Sequence, residues 1–478
     1  MTYLFIILLY LLTLIGVGIY KSNKIKTQAD FAVAGRSLSP WILVGTMLAT
    51  WIGTGSILGN AGKTYDTGMA ALILPLGGTL GILLLTRIAG RVRSYDKFTV
   101  PEIIGERYGS VARLLSVIAL VMAYMVIVSY QYNAGGAVLS AILTDGAGKS
   151  LISVHTATII AAIFIIAYTM LAGLVSVAYT DVGNGIIMTI SLFVAFPVLW
   201  IKAGGWSGME LAFANMGKDQ HMEFFGVYSG LDIINFCLPP FLLVLGDANM
   251  YQRFFASKNA KGAKSATIIL VFAVLIVELL IIASAWVSAS LIPDAEIGKH
   301  VLIYAAHRLL PTFLGAIMMT TIVGIIISTA DSFLLVPATT LMRDVYLNYI
   351  NPGASEKKIV LLSRLLVLGL GILAFIVSKS FAESEGFFER ALYAYTIYGA
   401  AITPALVAAL FWKGATKEGA VASILSGTIV TLLWKEFPTL WTWLPPRIYG
   451  SVDEVLPAIL CSVIALVGVS LLYNDKKR

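Results

Sequence analysis

The feature that most constrains this chain is the recurrence, along its whole length, of apolar runs long enough to cross a lipid bilayer. A transmembrane helix needs about 20 predominantly apolar residues. Hydrophobic residues make up 58% of the 478 residues and charged residues only 12%, whereas about a quarter of a soluble domain is charged. The sequence therefore predicts an all-α polytopic membrane protein with little room for a soluble domain.

About thirteen membrane helices are predicted from the apolar runs and the polar breaks between them. The first run lacks the basic start and the small-residue cleavage site of a signal peptide, so it is expected to be retained as a helix. The predicted spans are residues 3–20, 39–62, 68–90, 113–143, 153–173, 179–203, 230–254, 265–291, 309–340, 360–380, 388–412, 418–435 and 454–474.

Basic residues predict how these helices are oriented. Lys and Arg cluster in the loops of one side, for example at Arg91 and Arg93 and again at Lys261 and Lys264. Such loops face the cytoplasm. The N-terminus is therefore expected outside the cell membrane and the C-terminus in the cytoplasm.

Other functional classes fit the sequence less well. The chain has only four His and lacks the spacings of zinc-protease, paired-cysteine and phosphate-loop motifs, which weakens the case for an enzyme. Its net charge of +7 falls mainly in the loops of one side and does not indicate nucleic acid. Both cysteines lie in apolar spans, so no disulfide framework is implied.

Two of the predicted helices are interrupted within the span. The segment WIGTGS, from Trp51 to Ser56, is rich in glycine in the middle of span 39–62, and span 230–254 carries a Pro-Pro pair followed by LGDAN. Interrupted helices at corresponding positions are typical of inverted-repeat transporters, which bind ion and substrate at the unwound backbone. The alternative is that the glycines serve close helix packing.

Four acidic residues lie inside the predicted spans: Asp181, Asp247, Glu278 and Asp331. A charge at the centre of a bilayer costs at least about 2.5–3.5 kcal/mol, and no Lys or Arg is expected at central depth to pair with them. A mobile cation is then the expected partner: sodium, a proton or a cationic substrate. Two alternatives stay open: Asp181 caps a helix N-terminus, and Glu278 is protonated or reaches a cavity.

A polar stripe is predicted along GIIISTADSFLLVPATT, residues 324–340. On a helix that turns by about 100° per residue, Ser328, Thr329, Asp331 and Ser332 fall within one arc of about 160°. Oxygen ligands of this kind suit a small, hard cation. Hydroxyl groups that bond back to their own helix are the alternative, but they do not account for Asp331.

These motifs together resemble those of the sodium/solute symporter family, over nearly the whole chain. DFAVAGRSLSPW resembles the family's entry into its first core helix, and AYTDVGNG resembles its TDxxQ segment with Asn184 in place of Gln. NMYQRFFASKNAKGAK resembles a family loop, and STADS resembles its SSxxS sodium motif with Asp331 in place of Ser.

The resemblance implies a LeuT-like fold of two inverted five-helix repeats. The expected divisions are an extra helix and loop at 1–38, the first repeat at 39–203, the second at 204–412, and two helices with a short cytoplasmic tail at 413–478. A monomer in the bilayer is expected to import a small organic solute by alternating access. One or two Na⁺ would be the coupling ions, without an organic cofactor.

Two cation sites follow from the resemblance. The first sodium would have ligands from three backbone carbonyls and two hydroxyls, those of Ala49, Ile52, Ile325, Ser328 and Thr329. A second cation would lie among side-chain oxygens, those of Asp181, Ser328, Asp331 and Ser332. Asp331 would strengthen that second site or take a proton instead.

A substrate site is implied at the two helix breaks, with help from neighbouring helices. Its expected members are Trp51, Thr54, Gly55, Ser56, Asp247, Tyr130, Gln131, Tyr132, Tyr395 and Tyr398. Asp247 has no expected protein cation beside it and favours an amine or quaternary nitrogen, with aromatic rings for cation–π contact. Capping of the next half-helix by Asp247 is the alternative role. A sodium-coupled sugar or organic-acid symporter, or a proton-coupled transporter using Asp181 and Asp331, is the rival function.

Overall fold

The computed structural model describes residues 2–22, 25–143, 150–294, 298, 300–380, 386–445 and 449–475. The last residues of the expected cytoplasmic tail, 476–478, lie outside this part of the chain. The α-helices of the described part, numbered α1 to α18 in chain order, are Thr2–Ser22, Gln28–Val33, Pro40–Trp51, Ala61–Thr67, Leu76–Ser94, Val100–Tyr108, Ser110–Ile142, Val154–Lys202, Gly205–Asn215, Gly230–Gly246, Ala248–Ala256, Ala260–Ala289, Val301–Tyr304, Thr312–Thr340, Glu356–Ser378, Phe387–Phe411, Lys417–Glu436 and Val455–Asp475.

Short turns of other helical types join several of these helices. Turns of 3-10 helix cover Ala34–Arg36, Gly68–Ile73, Asp219–Met222 and Pro438–Trp441, and π-helical turns cover Gly55–Asn60, Ala305–Leu309 and Leu341–Ile350. The described residues contain no β-strand, only an isolated bridge between Leu38 and Ser257. This all-helical structure suits a bilayer, where backbone groups find no water and must bond within the chain.

The number of membrane spans differs from the prediction. Within the described ranges, nine helices are long and apolar enough to cross a membrane, and one bent helix pair brings the number to ten. Helix α8 has 49 residues and joins the predicted spans 153–173 and 179–203 across a kink at Gly173, where φ is 55°. Helices α5 and α17 cover two further predicted spans but are not among the nine. The count of about thirteen is therefore not confirmed.

Both predicted helix interruptions are present. Helix α3 ends at Trp51, and the chain resumes helical structure at Gly55 with a bend of 50° between the two halves. Helix α10 ends at Gly246, and Asp247, with a ψ of 112°, separates it from α11. Not every glycine of the predicted span 39–62 serves the break. A Cβ at Gly45 would lie 2.7 Å from Val182 Cγ2, so that glycine allows close packing on α8.

Helix α14 carries the polar stripe through the centre of the protein. Every residue of 324–340 is buried, and α14 packs against α1, α3, α7, α8 and α11. Large apolar side chains elsewhere are exposed, for example Leu12 on α1 and Ile163 on α8. The stripe therefore faces other helices, whereas these exposed side chains form the surface available to lipid.

Candidate functional site

Ser328 and Thr329 of α14 lie at the end of α3. The Ser328 hydroxyl oxygen is 3.3 Å from the Ala49 carbonyl oxygen, and at Ile52 the backbone leaves the helix. Ile325, about one turn earlier on α14, is buried. The last carbonyls of a helix lack intrahelical partners and carry the negative end of its dipole. A cation is stabilised at such a junction.

The Thr329 hydroxyl is the unsatisfied polar group of this junction. Thr329 is 3% exposed, and its Oγ1 has no hydrogen-bond partner in the described structure. It faces the break, since a Cβ at Gly53 would lie 3.0 Å from both Oγ1 and Cγ2 of Thr329. A buried hydroxyl without a partner costs about 1–3 kcal/mol, so a ligand that coordinates Oγ1 here would recover this cost.

Arg253 corrects the expectation that no basic residue reaches central depth. It lies on α11, is fully buried, and its Nη2 is 3.8 Å from Asp181 Oδ2. The same Nη2 donates to the Ser332 hydroxyl at 2.6 Å. The motif NMYQRFFASKNAKGAK predicts a loop position for Arg253, although Arg253 lies inside the predicted span 230–254. The resumed helix α11 places it beneath the second break.

Asp181 is held from several directions. Its Oδ1 accepts from the Ser328 hydroxyl at 2.5 Å, and its Oδ2 accepts from the Thr46 hydroxyl at 2.5 Å. It lies inside the continuous helix after the Gly173 kink, so it does not cap a helix N-terminus. Asp181 thus links Ser328, which is predicted to bind sodium, to the Arg253 guanidinium.

Asp331 has a different hydrogen-bond partner from the other residues predicted for the second cation. Its carboxylate accepts from the Thr169 hydroxyl of α8, whereas Asp181 and Ser332 meet at Arg253. The four predicted residues therefore belong to two hydrogen-bonded groups: Asp331 with Thr169, and Asp181, Ser328 and Ser332 around Arg253. The Arg253 guanidinium already supplies a positive charge to the second group. The second cation site stays a prediction.

Asp247 lies at the break between α10 and α11. Its Oδ1 accepts from the Tyr124 hydroxyl at 2.5 Å and from the Asn249 backbone N–H at 3.1 Å. The capping role considered as an alternative is therefore present. Tyr124 was missed by the sequence prediction because nothing in α7 shows which of its tyrosines reaches the break.

A small central cavity lies between the two breaks. Of the predicted substrate residues, Trp51, Tyr130, Tyr395 and Asp247 line it, and Thr329 of the cation junction also borders it. The cavity is thus adjacent to a hydroxyl that is predicted to bind sodium. Its full lining is Thr50, Trp51, Gly53, Ile127, Tyr130, Leu243, Asp247, Thr329, Phe333 and Tyr395.

The other predicted substrate residues lie around this cavity or away from it. Thr54 donates to the side-chain oxygen of Gln131. The Tyr398 hydroxyl donates to the Gly246 carbonyl at 2.7 Å and so supports the second break. The Tyr132 hydroxyl is 3.5 Å from the carbonyl of Gly371 on α15, and Tyr132 does not line the cavity.

A second cavity lies next to the central one and shares Trp51 and Tyr395 with it. Gly55 and Ser56 of the predicted substrate set border this second cavity, together with Glu278 of α12. Its phenylalanines, Phe236 and Phe388, were not predicted, because they come from α10 and α16 and carry no motif. Phe388 also borders a third cavity, which is lined by charged residues that include Lys63, Asp66, Glu389 and Lys435.

Comparison with known proteins supports the resemblance. The model of the sodium:solute symporter family matches residues 31–427. The sodium/proline symporter of Haemophilus influenzae is 26% identical, over 99% of this chain and 95% of that protein. That of Staphylococcus aureus (strain JH9) is also 26% identical, over 97% of this chain and 91% of that protein.

Solved structures share the fold. A substrate-bound, outward-open Na⁺-coupled sialic acid symporter aligns with a TM-score of 0.81 at 17% identity, over 99% of this chain and 98% of its own. A nucleobase-cation-symport-1 family transporter aligns with a TM-score of 0.59 at 13% identity, covering 92% and 95%. MhsT in complex with L-phenylalanine aligns with a TM-score of 0.53 at 13% identity, covering 91% and 97%.

These findings confirm the predicted LeuT-like membrane fold, and they assign the chain to a family of transporters and not to one of enzymes. The family model covers most of the chain, and the full-length relatives are named symporters. The protein is therefore a multi-pass, sodium-coupled solute symporter that belongs to the sodium:solute symporter family.

Proposed function

We propose that this symporter couples one sodium ion to the import of an amine-bearing solute, such as an amino acid, a betaine or a choline-like cation. The observation that supports the proposed sodium site is the buried Thr329 hydroxyl at the break after α3, which has no hydrogen-bond partner in the described structure. The proposed ligands are the predicted ones: the hydroxyls of Ser328 and Thr329 and the carbonyls of Ala49, Ile52 and Ile325.

The solute would bind in the central cavity. The rings of Trp51, Tyr130 and Tyr395 line it, and the faces of such rings attract cations. Backbone N–H groups of the unwound segment near Gly53 are suited to a substrate carboxylate. The relatives are named sodium/proline symporters, and proline carries both groups, which supports an amino acid or a betaine.

Arg253 supports the proposal of a single sodium. Its guanidinium already contacts Asp181 and Ser332, so a second sodium in the predicted site would have to displace it. One charge moved across ~100 mV supplies ~2.3 kcal/mol, and a tenfold sodium gradient adds ~1.4 kcal/mol. A single sodium would therefore support roughly 500-fold accumulation of a solute without net charge.

The three cavities support an outward-facing arrangement. Neighbouring cavities share wall residues, and the third cavity is lined by Lys63 and Glu389, on the side that the distribution of basic residues places outside. On the other side of the break, Arg253, Phe254 and Phe255 of α11 are fully buried. Alternating access would open that side by moving α11 relative to α14.

Proton coupling is the second candidate, and Asp331 favours it. This carboxyl is buried, accepts from Thr169, and forms no ion pair with a basic residue of the described structure. A proton could satisfy Asp331 where a sodium is not bound. In that case a pH gradient would drive uptake in the absence of sodium.

The test uses the purified full-length protein in two experiments. Thermal-shift screening in detergent with amino acids, betaines, sugars and organic acids, in NaCl and in KCl, identifies the solute. Gradient-driven uptake into proteoliposomes then identifies the coupling ion. We expect stabilisation by amine-bearing solutes only in NaCl. Stabilisation by sugars or amine-free acids alone would refute the substrate class, and unchanged uptake without sodium would refute the sodium site.

A further inference from the structure

Glu278 of α12 is a buried carboxyl that the sodium site does not use. It is 3% exposed, and no basic residue forms an ion pair with it in the described part of the chain. Its Oε1 accepts from the Ser56 hydroxyl at 2.6 Å, and its Oε2 accepts from Asn60 Nδ2 at 3.1 Å. Both donors belong to the π-helical turn that follows the first break, so the carboxyl group is fixed relative to the unwound segment.

The cavity that Glu278 borders is aromatic. Trp51, Phe236, Phe388 and Tyr395 line it, and the Phe236 and Phe388 rings lie 5.3 Å apart at a near-perpendicular angle. The same two rings already bind one ammonium, because Lys63 Nζ lies 4.9 Å and 5.5 Å from their centroids. Aromatic faces around a carboxylate are the features that recognise ammonium groups.

Asp247 is less suited to this task. Its Oδ1 accepts from Tyr124 and from a backbone N–H and so holds the second break, and Asp247 does not border the cavity of Phe236 and Phe388. Glu278 accepts only from two neutral donors. The cavity that it borders shares a wall with the central cavity, since Trp51 and Tyr395 line both. A solute that entered from the outer side would contact Glu278 before it reached the Thr329 junction.

We propose that Glu278, within the ring of Trp51, Phe236, Phe388 and Tyr395, is the anionic group that recognises the ammonium of the transported solute. The inference rests on the proposed function, because it names the residue that selects an amine-bearing solute. A carboxylate there favours a cationic nitrogen and disfavours an isosteric solute with an ether oxygen in its place.

The experiment compares the full-length wild type with Glu278→Gln in detergent. The probes are L-proline, glycine betaine and choline, with tetrahydrofuran-2-carboxylate as the nitrogen-free analogue of proline. Binding is measured by titration calorimetry in NaCl. Hydrogen bonds to charged groups are stronger than neutral ones, and their loss predicts an affinity about 10- to 150-fold lower for L-proline. Glycine betaine and choline have no N–H on their quaternary nitrogen, so they lose only the attraction between charges and their affinity should fall by a smaller factor. The analogue should bind the wild type weakly, and its affinity should not fall in Glu278→Gln.

Two variants control for charge and folding. Glu210→Gln removes an exposed carboxylate of α9 and should leave binding unchanged. Glu278→Asp keeps the charge but shortens the side chain, and should give a smaller loss than Glu278→Gln. If Glu278→Gln is not obtained as folded protein, Glu278→Asp and Ser56→Ala replace it, and each should lower the affinity for the amine probes.

Sodium-induced stabilisation without solute separates the outcomes. It should be the same in the wild type and in Glu278→Gln, and a shifted sodium midpoint would make Glu278 a sodium ligand and overturn the inference. If the wild type binds an amine probe and Glu278→Gln binds it equally well, the inference fails while the proposed function stands. If the wild type binds no amine probe, both fail.

Discussion

Replacing Thr329 with valine tests the sodium site without disturbing the fold. Valine keeps the branched shape of threonine and exchanges the hydroxyl for a methyl group. The Thr329 hydroxyl is buried at the break and makes no hydrogen bond within the described structure. The substitution therefore removes no protein–protein hydrogen bond and affects chiefly whatever ligand Oγ1 coordinates.

The structure sets the size of two effects of Thr329→Val: the change in stability without sodium and the change in affinity for sodium. Without sodium, the unpartnered hydroxyl costs about 1–3 kcal/mol, and an apolar group of the same shape is neutral or stabilising. The free energy of unfolding of Thr329→Val should thus equal or exceed that of the wild type. With sodium, the variant lacks one charge-assisted contact, worth about 1.5–3 kcal/mol. The sodium concentration for half-maximal effect should rise about 10- to 150-fold.

Two measurements check this prediction: the thermal midpoint of the detergent-solubilised protein and the initial rate of uptake into proteoliposomes, each as a function of sodium concentration. Thr340→Val is the matched control. Thr340 is also a buried hydroxyl of α14 without a hydrogen-bond partner among the described residues, about three turns from Thr329. An unchanged sodium midpoint in Thr329→Val, or an equal shift in both variants, would refute the placement of sodium at Thr329.

Two further predictions concern charged groups outside the sodium site. Arg253→Gln leaves the buried Asp181 carboxylate without its basic partner and should lower the free energy of unfolding by about 3–5 kcal/mol in KCl. NaCl should restore part of the loss, so the rise in thermal midpoint from KCl to NaCl should be larger in Arg253→Gln than in the wild type, where it comes from the proposed site at Thr329. An equal rise in the two proteins would contradict replacement of the guanidinium by sodium. Burial lowers the pKa of His221 in the loop turn Asp219–Met222, so stability should fall as the pH drops below about 6.5, the pKa of an unperturbed histidine. His221→Gln should flatten this dependence in thermal unfolding, and an unchanged pH profile would assign it to other groups.

The helix breaks and the polar stripe could be predicted because their signals are local. A Gly-rich or Pro-Pro segment inside an apolar run shows where a helix is interrupted, and helical periodicity shows that Ser328 and Thr329 share a face. The depth of Arg253 is not local. It depends on α11 resuming after Asp247 and packing beneath the break, and the sequence around an arginine at the end of a span does not show this.

The cavity walls were harder to predict for a similar reason. Trp51 and Gly55 belong to a recognisable break, whereas Phe236 and Phe388 come from α10 and α16 and meet only through the packing of those helices. Among many tyrosines, the sequence did not distinguish Tyr124, which contacts Asp247, from Tyr132, which contacts α15. The type of a residue in an apolar span does not show which way its side chain points, and this orientation decides which side chains line a cavity.

The position of the first break gives a physical reason for coupling between sodium and solute. Within eight residues, 49–56, the same backbone contributes the carbonyl near Ser328, the glycine facing Thr329, and Trp51, which borders both cavities. A sodium ion at Thr329 would fix this segment and with it the cavity wall. By linkage, a solute that holds the wall in the same position raises the affinity for sodium by the same factor. When the segment shifts and the sodium contacts lengthen, the solute loses its wall as well, so neither ligand is held independently of the other.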